Sequence, residues 1–199
     1  MPRWISARRV RSSSSSRLRH GSSRNAFACS PSVTPLSSHC IAIHPDTGDV
    51  WASEHGPQGG DELNRIQPGK NYGWPVIGFG VNYQTGLAIH AGTHREGMEQ
   101  PTHIWVPSIG VSGLMVYTGE RFPQWRGNIF AGGMVGQQLA RLTMLGQRVT
   151  SAETLVPQMG RIRDVRQGLD GYIYLVTDDR EGKPTPIFRM EPVERNSTR

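Results

Sequence analysis

The chain has 199 residues, enough for one domain with a substantial buried core. Its 24 glycines and 14 prolines, with 8% aromatic residues, suit a loop-rich β-protein and argue against a helix bundle. The net charge of +6 would suit a nucleic-acid binder, but residues 1–40 hold seven arginines and no acid, so residues 41–199 sum to −1. That distribution argues against nucleic acid as a partner of the main body. No run of 18 apolar residues occurs, so nothing is expected to span a membrane.

Residues 1–40 also contain twelve serines, including Ser12 to Ser16 in a row. Three readings stay open: an organellar transit peptide, an arginine/serine RNA-binding tail, or upstream or out-of-frame sequence joined to a coding region. Each predicts a disordered N-terminal segment. Both cysteines, Cys29 and Cys40, lie in it, without a metal-binding spacing or any support for a bridge.

From 41 onward the pattern changes. Three stretches repeat a glycine turn followed by an alternating strand: 44–53, 125–132 and 169–177. Turn glycines Gly127 and Gly171 lie 44 residues apart, close to one four-stranded propeller blade. Gly48 and Gly127 are 79 apart, which fits one blade plus a long insertion. Further strands are expected at 113–117, 138–143, 149–155, 160–166 and 186–190, and helical periodicity is nowhere sustained for three turns. The expected fold is all-β with about three blades in 41–190, followed by a tail, 191–199.

The stretch 51–75 carries the densest chemistry. A strand ending near Ser53 enters a loop with glycines at 56, 59 and 60 and with hard oxygen donors on Asp61, Glu62, Asn64 and Tyr72. Calcium takes six to eight such oxygens, main-chain carbonyls included. A solvated turn with ordinary surface charges is the plain alternative. Further along, Arg161 and Arg163 alternate on a strand and are expected to share one side with Val165. Two guanidiniums on one side make a carboxylate receptor, and an exposed basic strand is the plain alternative.

Glu54-His-Gly-Pro57, Gly59-Gly-Asp-Glu-Leu-Asn64 and Gly69-Lys-Asn-Tyr-Gly-Trp-Pro75 together resemble the soluble PQQ-dependent sugar dehydrogenases, or glucose/sorbosone dehydrogenases, over about residues 41–190. The resemblance implies the C-terminal part of a six-bladed β-propeller. It also implies PQQ and calcium as cofactors, an aldose sugar oxidised at C1 to a lactone, an electron acceptor, and a periplasmic or secreted location. It places the Gly56 and Pro57 carbonyls on the calcium beside PQQ, His55 and Tyr83 beside the cofactor, Glu62 and Tyr72 at a second calcium position, and Arg161 and Arg163 on the cofactor. Two departures stand out. Val135 occupies a position where the family carries a cofactor-contacting lysine. No catalytic residue is assigned, because the family's histidine base has no match, His20 and His39 included. A non-catalytic calcium- or sugar-binding propeller fragment is the alternative function.

Overall fold

A computed structural model describes residues 5–10 and 40–192, with side-chain positions from residue 8 onward in the N-terminal piece. The strands are β1 (Ile5–Arg9), β2 (Cys40–Ile43), β3 (Val50–Glu54), β4 (Asp61–Ile66), β5 (His103–Trp105) and β6 (Val111–Val116). They continue with β7 (Ile129–Gly133), β8 (Gln138–Leu145), β9 (Arg148–Leu155), β10 (Arg161–Gln167), β11 (Ile173–Asp178) and β12 (Ile187–Pro192). The described residues contain no α-helix, only a 3-10 turn at Pro123–Trp125. The all-β expectation holds.

Twelve strands form three four-stranded antiparallel sheets, ordered β2-β3-β4-β5, β6-β7-β8-β9 and β10-β11-β12-β1. Gly48, Gly127 and Gly171 each sit in the hairpin before the second strand of a sheet, which explains the repeat in the sequence. The long insertion, residues 67–102, joins β4 to β5 within the first sheet. β6 packs between β2 and β10, so the sheets stack in sequence like successive blades.

The middle sheet is covered on both faces. Leu114, Val116, Ile129, Ala131 and Leu142 meet Trp51, Leu63 and Trp105 of the first sheet. Met115, Tyr117, Phe130 and Leu139 meet Ile162, Val165, Ile173 and Leu175 of the third. β6 and β7 are accordingly buried at every position, whereas β11 alternates between buried and half-buried. The outer sheets keep a free face: Cys40 and Ala42 pack inward, while Ile41 and Ile43 point away and are about half exposed, at 49% and 48%.

Within the segment expected to be disordered, Ile5–Arg9 forms β1 and pairs with β12 as the outer strand of the third sheet. Residues 1–4, 11–39 and 193–199, including Cys29, His20, His39 and most of the expected tail, lie outside the described residues.

Candidate cofactor and metal site

The first sheet builds a cleft at the turn between β3 and β4. Asp61, 1% exposed, opens β4 and clamps the turn: its Oδ1 accepts from the Gly56 N–H (3.0 Å) and its Oδ2 from the Val111 N–H (2.8 Å). Its own N–H donates to Ser108 Oγ (3.2 Å), and that hydroxyl donates to the Pro57 carbonyl (3.1 Å). The turn is closed so tightly that a Cβ on Gly56 would lie 2.3 Å from the Gly60 carbonyl carbon and oxygen. Only glycine fits there, and main-chain oxygens crowd together as a result.

His55, Gly56, Pro57, Glu62 and Tyr72 all line this one cleft, together with Glu54, Trp74 and His90. Its free volume of about 20 Å³ suits a single water-sized or ion-sized occupant. The ring Nε2 of His55 donates to the Val111 carbonyl, which leaves Nδ1 as the acceptor. Tyr72 is held from β4: its hydroxyl donates to the Arg65 carbonyl (2.7 Å) and accepts from the Gln67 N–H (2.8 Å). One lone pair of that oxygen remains.

Among the described residues no cation pairs with the carboxyls of the cleft. Glu54 and Glu62 stand directly opposite each other across β3 and β4, an unfavourable like-charge pair. Burial pushes the Glu62 carboxyl up from 4.5 to about 7; the Asn64 amide, donating to Glu62 Oε2 at 3.2 Å, opposes this, while the charges of Glu54 and Asp61 add to it. The buried Asn64 Oδ1 has no hydrogen-bond partner among the described residues. Like-charged carboxylates and crowded carbonyls are the donor set of a hard cation. No three His, Cys, Asp or Glu side chains among the described residues come together as a ready metal shell, so a cation would also draw on main-chain oxygens.

Sequence reasoning placed Glu62 in a loop, whereas Asp61–Ile66 is strand β4. Pairing with β3 orients Glu62 and Asn64 on one face and Asp61 and Leu63 on the other. Sequence reasoning also missed His90. Its Nδ1 donates to the Pro75 carbonyl (2.9 Å), and its buried Nε2 has no partner among the described residues. One of two histidines in a 36-residue insertion, His90 gave no signal of this in the sequence.

The third sheet carries the arginines. Arg161 pairs with Asp178 (Nε to Oδ1, 2.8 Å) and points Nη2 at the Met134 sulfur (3.6 Å); Arg163 points Nη1 at the same sulfur (2.9 Å). The two guanidiniums therefore converge, as expected. Val165 does not share their side: a bulge between Ile162 and Asp164 shifts the alternation, and Val165 turns into the core beside Ile162. Tyr83 is 73% exposed and does not line the cleft. Val135, at the lysine position, is 63% exposed.

Hydrogen bonds tie the two regions into one end of the stack. Val111 meets Asp61; Met134 N–H donates to the Gly110 carbonyl (2.9 Å); Val135 N–H donates to the Ile109 carbonyl (2.9 Å); Met159 N–H donates to the Gln137 carbonyl (3.2 Å). The turn of the cleft, the segment before β6, the turn after β7 and the start of β10 thus follow one another.

The family model for glucose/sorbosone dehydrogenase matches residues 37–189. The chain belongs to this family. It is 47% identical over 151 residues to the Synechocystis protein slr1608 and 41% identical over 155 residues to the aldose sugar dehydrogenase YliI of Escherichia coli, each match covering 76% of the chain. It spans 36% and 41% of the lengths of these two curated relatives. Among solved structures, the soluble aldose sugar dehydrogenase of Escherichia coli matches with a TM-score of 0.71 and 37% identity, over 77% of this chain and 44% of that one. The PQQ-bound aldose sugar dehydrogenase of Streptomyces coelicolor matches with a TM-score of 0.59 and 25% identity, over 78% of this chain and 43% of that one. The strand framework is thus a sugar-dehydrogenase framework.

Proposed function

We propose that this chain supplies the calcium- and PQQ-facing part of an enzyme that oxidises the C1 hydroxyl of aldose sugars to lactones. The observation that carries the reading is the cleft, where His55, Gly56, Pro57, Glu62 and Tyr72 meet around the Glu54 and Glu62 carboxyls, which form no ion pair among the described residues. Gly56 and Pro57 carbonyls would hold the calcium beside PQQ, and Glu62 with the Tyr72 side of the cleft a second one. The PQQ-bound relative supports the choice of cofactor. When bound, PQQ supplies a two-electron hydride acceptor, made more electrophilic by calcium.

The protein's own groups then bind and orient. Arg161 and Arg163 would meet the carboxylates of a tricarboxylate cofactor, Arg161 fixed by Asp178 and Arg163 free of any ion pair among the described residues. His55, with Nε2–H committed to Val111, offers Nδ1 as an acceptor. Tyr83 would reach the cofactor only from its exposed position on the insertion. No residue of the chain is assigned the removal of the sugar hydroxyl proton. Electrons would leave to an external acceptor, in the periplasm or outside the cell. Among the described residues no helix is long and apolar enough to cross a membrane.

Val135 favours a second reading, a calcium- or sugar-binding half-propeller without catalysis, because it removes a cation from an anion-binding face. Calorimetry of the full chain with calcium, then with PQQ in excess calcium, tests the proposal. Heat of binding for both is expected. Absence of both heats would sink it, and dye reduction with aldoses separates the two readings.

A further inference from the structure

The exposed end of the third sheet raises a question that the cofactor assignment leaves open: what keeps two like-charged guanidiniums together. Asp178 neutralises Arg161 alone. Arg163 has no carboxylate within ion-pair distance among the described residues, and its guanidinium is held by a single contact, the 2.9 Å approach of Nη1 to the Met134 sulfur. The Arg161 Nη2 approaches that sulfur from the other strand position at 3.6 Å. Met134 is 8% exposed, and its N–H is fixed on the Gly110 carbonyl, so the sulfur has little freedom to move away.

We propose that Met134 is a positioning residue for the anion receptor: its thioether accepts from both guanidiniums and aims them at one ligand. The inference rests on the reading of Arg161 and Arg163 as the face that meets an anionic cofactor. A thioether is a weak but polarizable acceptor and carries no charge. It can therefore gather two cations without neutralising them, which a carboxylate in the same place would do. The positive charge stays available to a polycarboxylate, and the sulfur lowers the cost of holding both side chains in one orientation before the ligand arrives. The next residue, Val135, supplies no cation of its own, so the geometry of the arginine pair matters more.

Two substitutions separate this role from core packing. Met134→Leu keeps volume and apolar character and removes the acceptor; Met134→Gln keeps length and offers Oε1 as an acceptor. For a residue 8% exposed, packing alone ranks Leu above Gln. Positioning ranks Gln above Leu. The first readout needs no cofactor: the 15N–1H signals of the Arg161 and Arg163 side chains in the full chain. They are expected to shift and broaden in Met134→Leu and to stay sharp in Met134→Gln. The second is PQQ titration in excess calcium, with Arg163→Ala as the control. Met134→Leu should weaken binding about fivefold and Met134→Gln less than twofold, the scale of one weak hydrogen bond.

Unchanged arginine signals in Met134→Leu would overturn the inference whether or not PQQ binds. If PQQ binds and Arg163→Ala weakens it while Met134→Leu does not, the inference falls and the cofactor reading stands. If PQQ fails to bind while the arginine signals respond as expected, the cofactor reading falls and Met134 remains the residue that holds the pair.

Discussion

The two halves of the candidate site are built in opposite ways. The cleft on the first sheet is made by backbone: a turn closed on Gly56, a buried Asp61 that clamps two strands, and carboxylates set by the β3–β4 register. The arginine face on the third sheet is made by side chains at a strand end, with one guanidinium paired and the other resting on sulfur. The cleft is therefore part of the fold's stability, and the arginine face is nearly independent of it. Removing the Asp61 clamp should unfold as well as disarm; substitutions on the arginine face should disarm at little cost in stability.

The largest effect expected is on turnover. On the proposed reading both halves would bind and orient, and no residue of either is assigned as a base for the sugar hydroxyl, a contribution of about 10²–10⁴-fold. The 199-residue chain with calcium, PQQ and glucose should reduce a redox dye at least about 100-fold more slowly than residues 41–199 joined to the N-terminal half of a family member. Comparable rates would mean that a residue of this chain takes the proton.

Next in size is Asp61→Ala. It leaves the Gly56 and Val111 N–H groups buried without acceptors and should cost about 3 kcal/mol, read as a fall in urea midpoint, together with loss of calcium binding. Asp61→Asn should recover only part of this, because its NH₂ must face one of the two donors. A stable Asp61→Ala chain that still binds calcium would erase the distinction between the two halves.

Much of this was legible in the sequence, for physical reasons that differ by element. The hairpin glycines Gly48, Gly127 and Gly171 announced the sheets, and alternation showed best at β11, whose outer sheet has one covered face, whereas β7 is buried at every position. Strand β4 was hidden: its polar run, Asp-Glu-Leu-Asn-Arg, reads as loop, and only pairing with β3 makes it a strand. The motif wording singled out His55 and, at a second position, Glu62 with Tyr72; their meeting in one cleft, like the orphaned Asn64 Oδ1 and His90 Nε2 among the described residues, is a property of packing. Likewise the simple two-residue alternation carried Arg161 and Arg163 to one side and failed at Val165, because a bulge is invisible to a period count.

Glu62 sharpens the comparison through pH. Its carboxyl titrates near 7 in the folded chain against an ordinary value of 4.5, so between those values the folded state keeps a proton that the unfolded state has lost. Stability should be highest below about pH 4.5 for this group and fall as pH rises through 7. Allowing for partial exposure, the loss is about 1–2 kcal/mol. Glu62→Gln should therefore raise the thermal midpoint of the calcium-free chain at pH 8 and change it little at pH 5. Saturating calcium should remove the pH dependence in the wild type, since a bound cation favours the charged carboxylate. A pH-independent difference between the two proteins would place the Glu62 effect in packing and not in charge.

The smallest stability effects are expected on the arginine face, and their order is the informative part. Arg161→Ala breaks a half-buried pair with Asp178 and should cost about 1 kcal/mol, while Arg163→Ala, exposed and without an ion pair among the described residues, should change stability by less than about 0.5 kcal/mol. Affinity for PQQ should not follow that order. An arginine already neutralised by Asp178 offers less net charge to an anion than one held only by a thioether, so Arg163→Ala should weaken binding at least as much as Arg161→Ala. Denaturant melts and PQQ titrations on the same two variants give both rankings. If the loss of binding tracks the loss of stability, the arginine face is an ordinary part of the framework. If Arg163 costs affinity while leaving the melt unchanged, the third sheet carries a binding surface that the fold does not need.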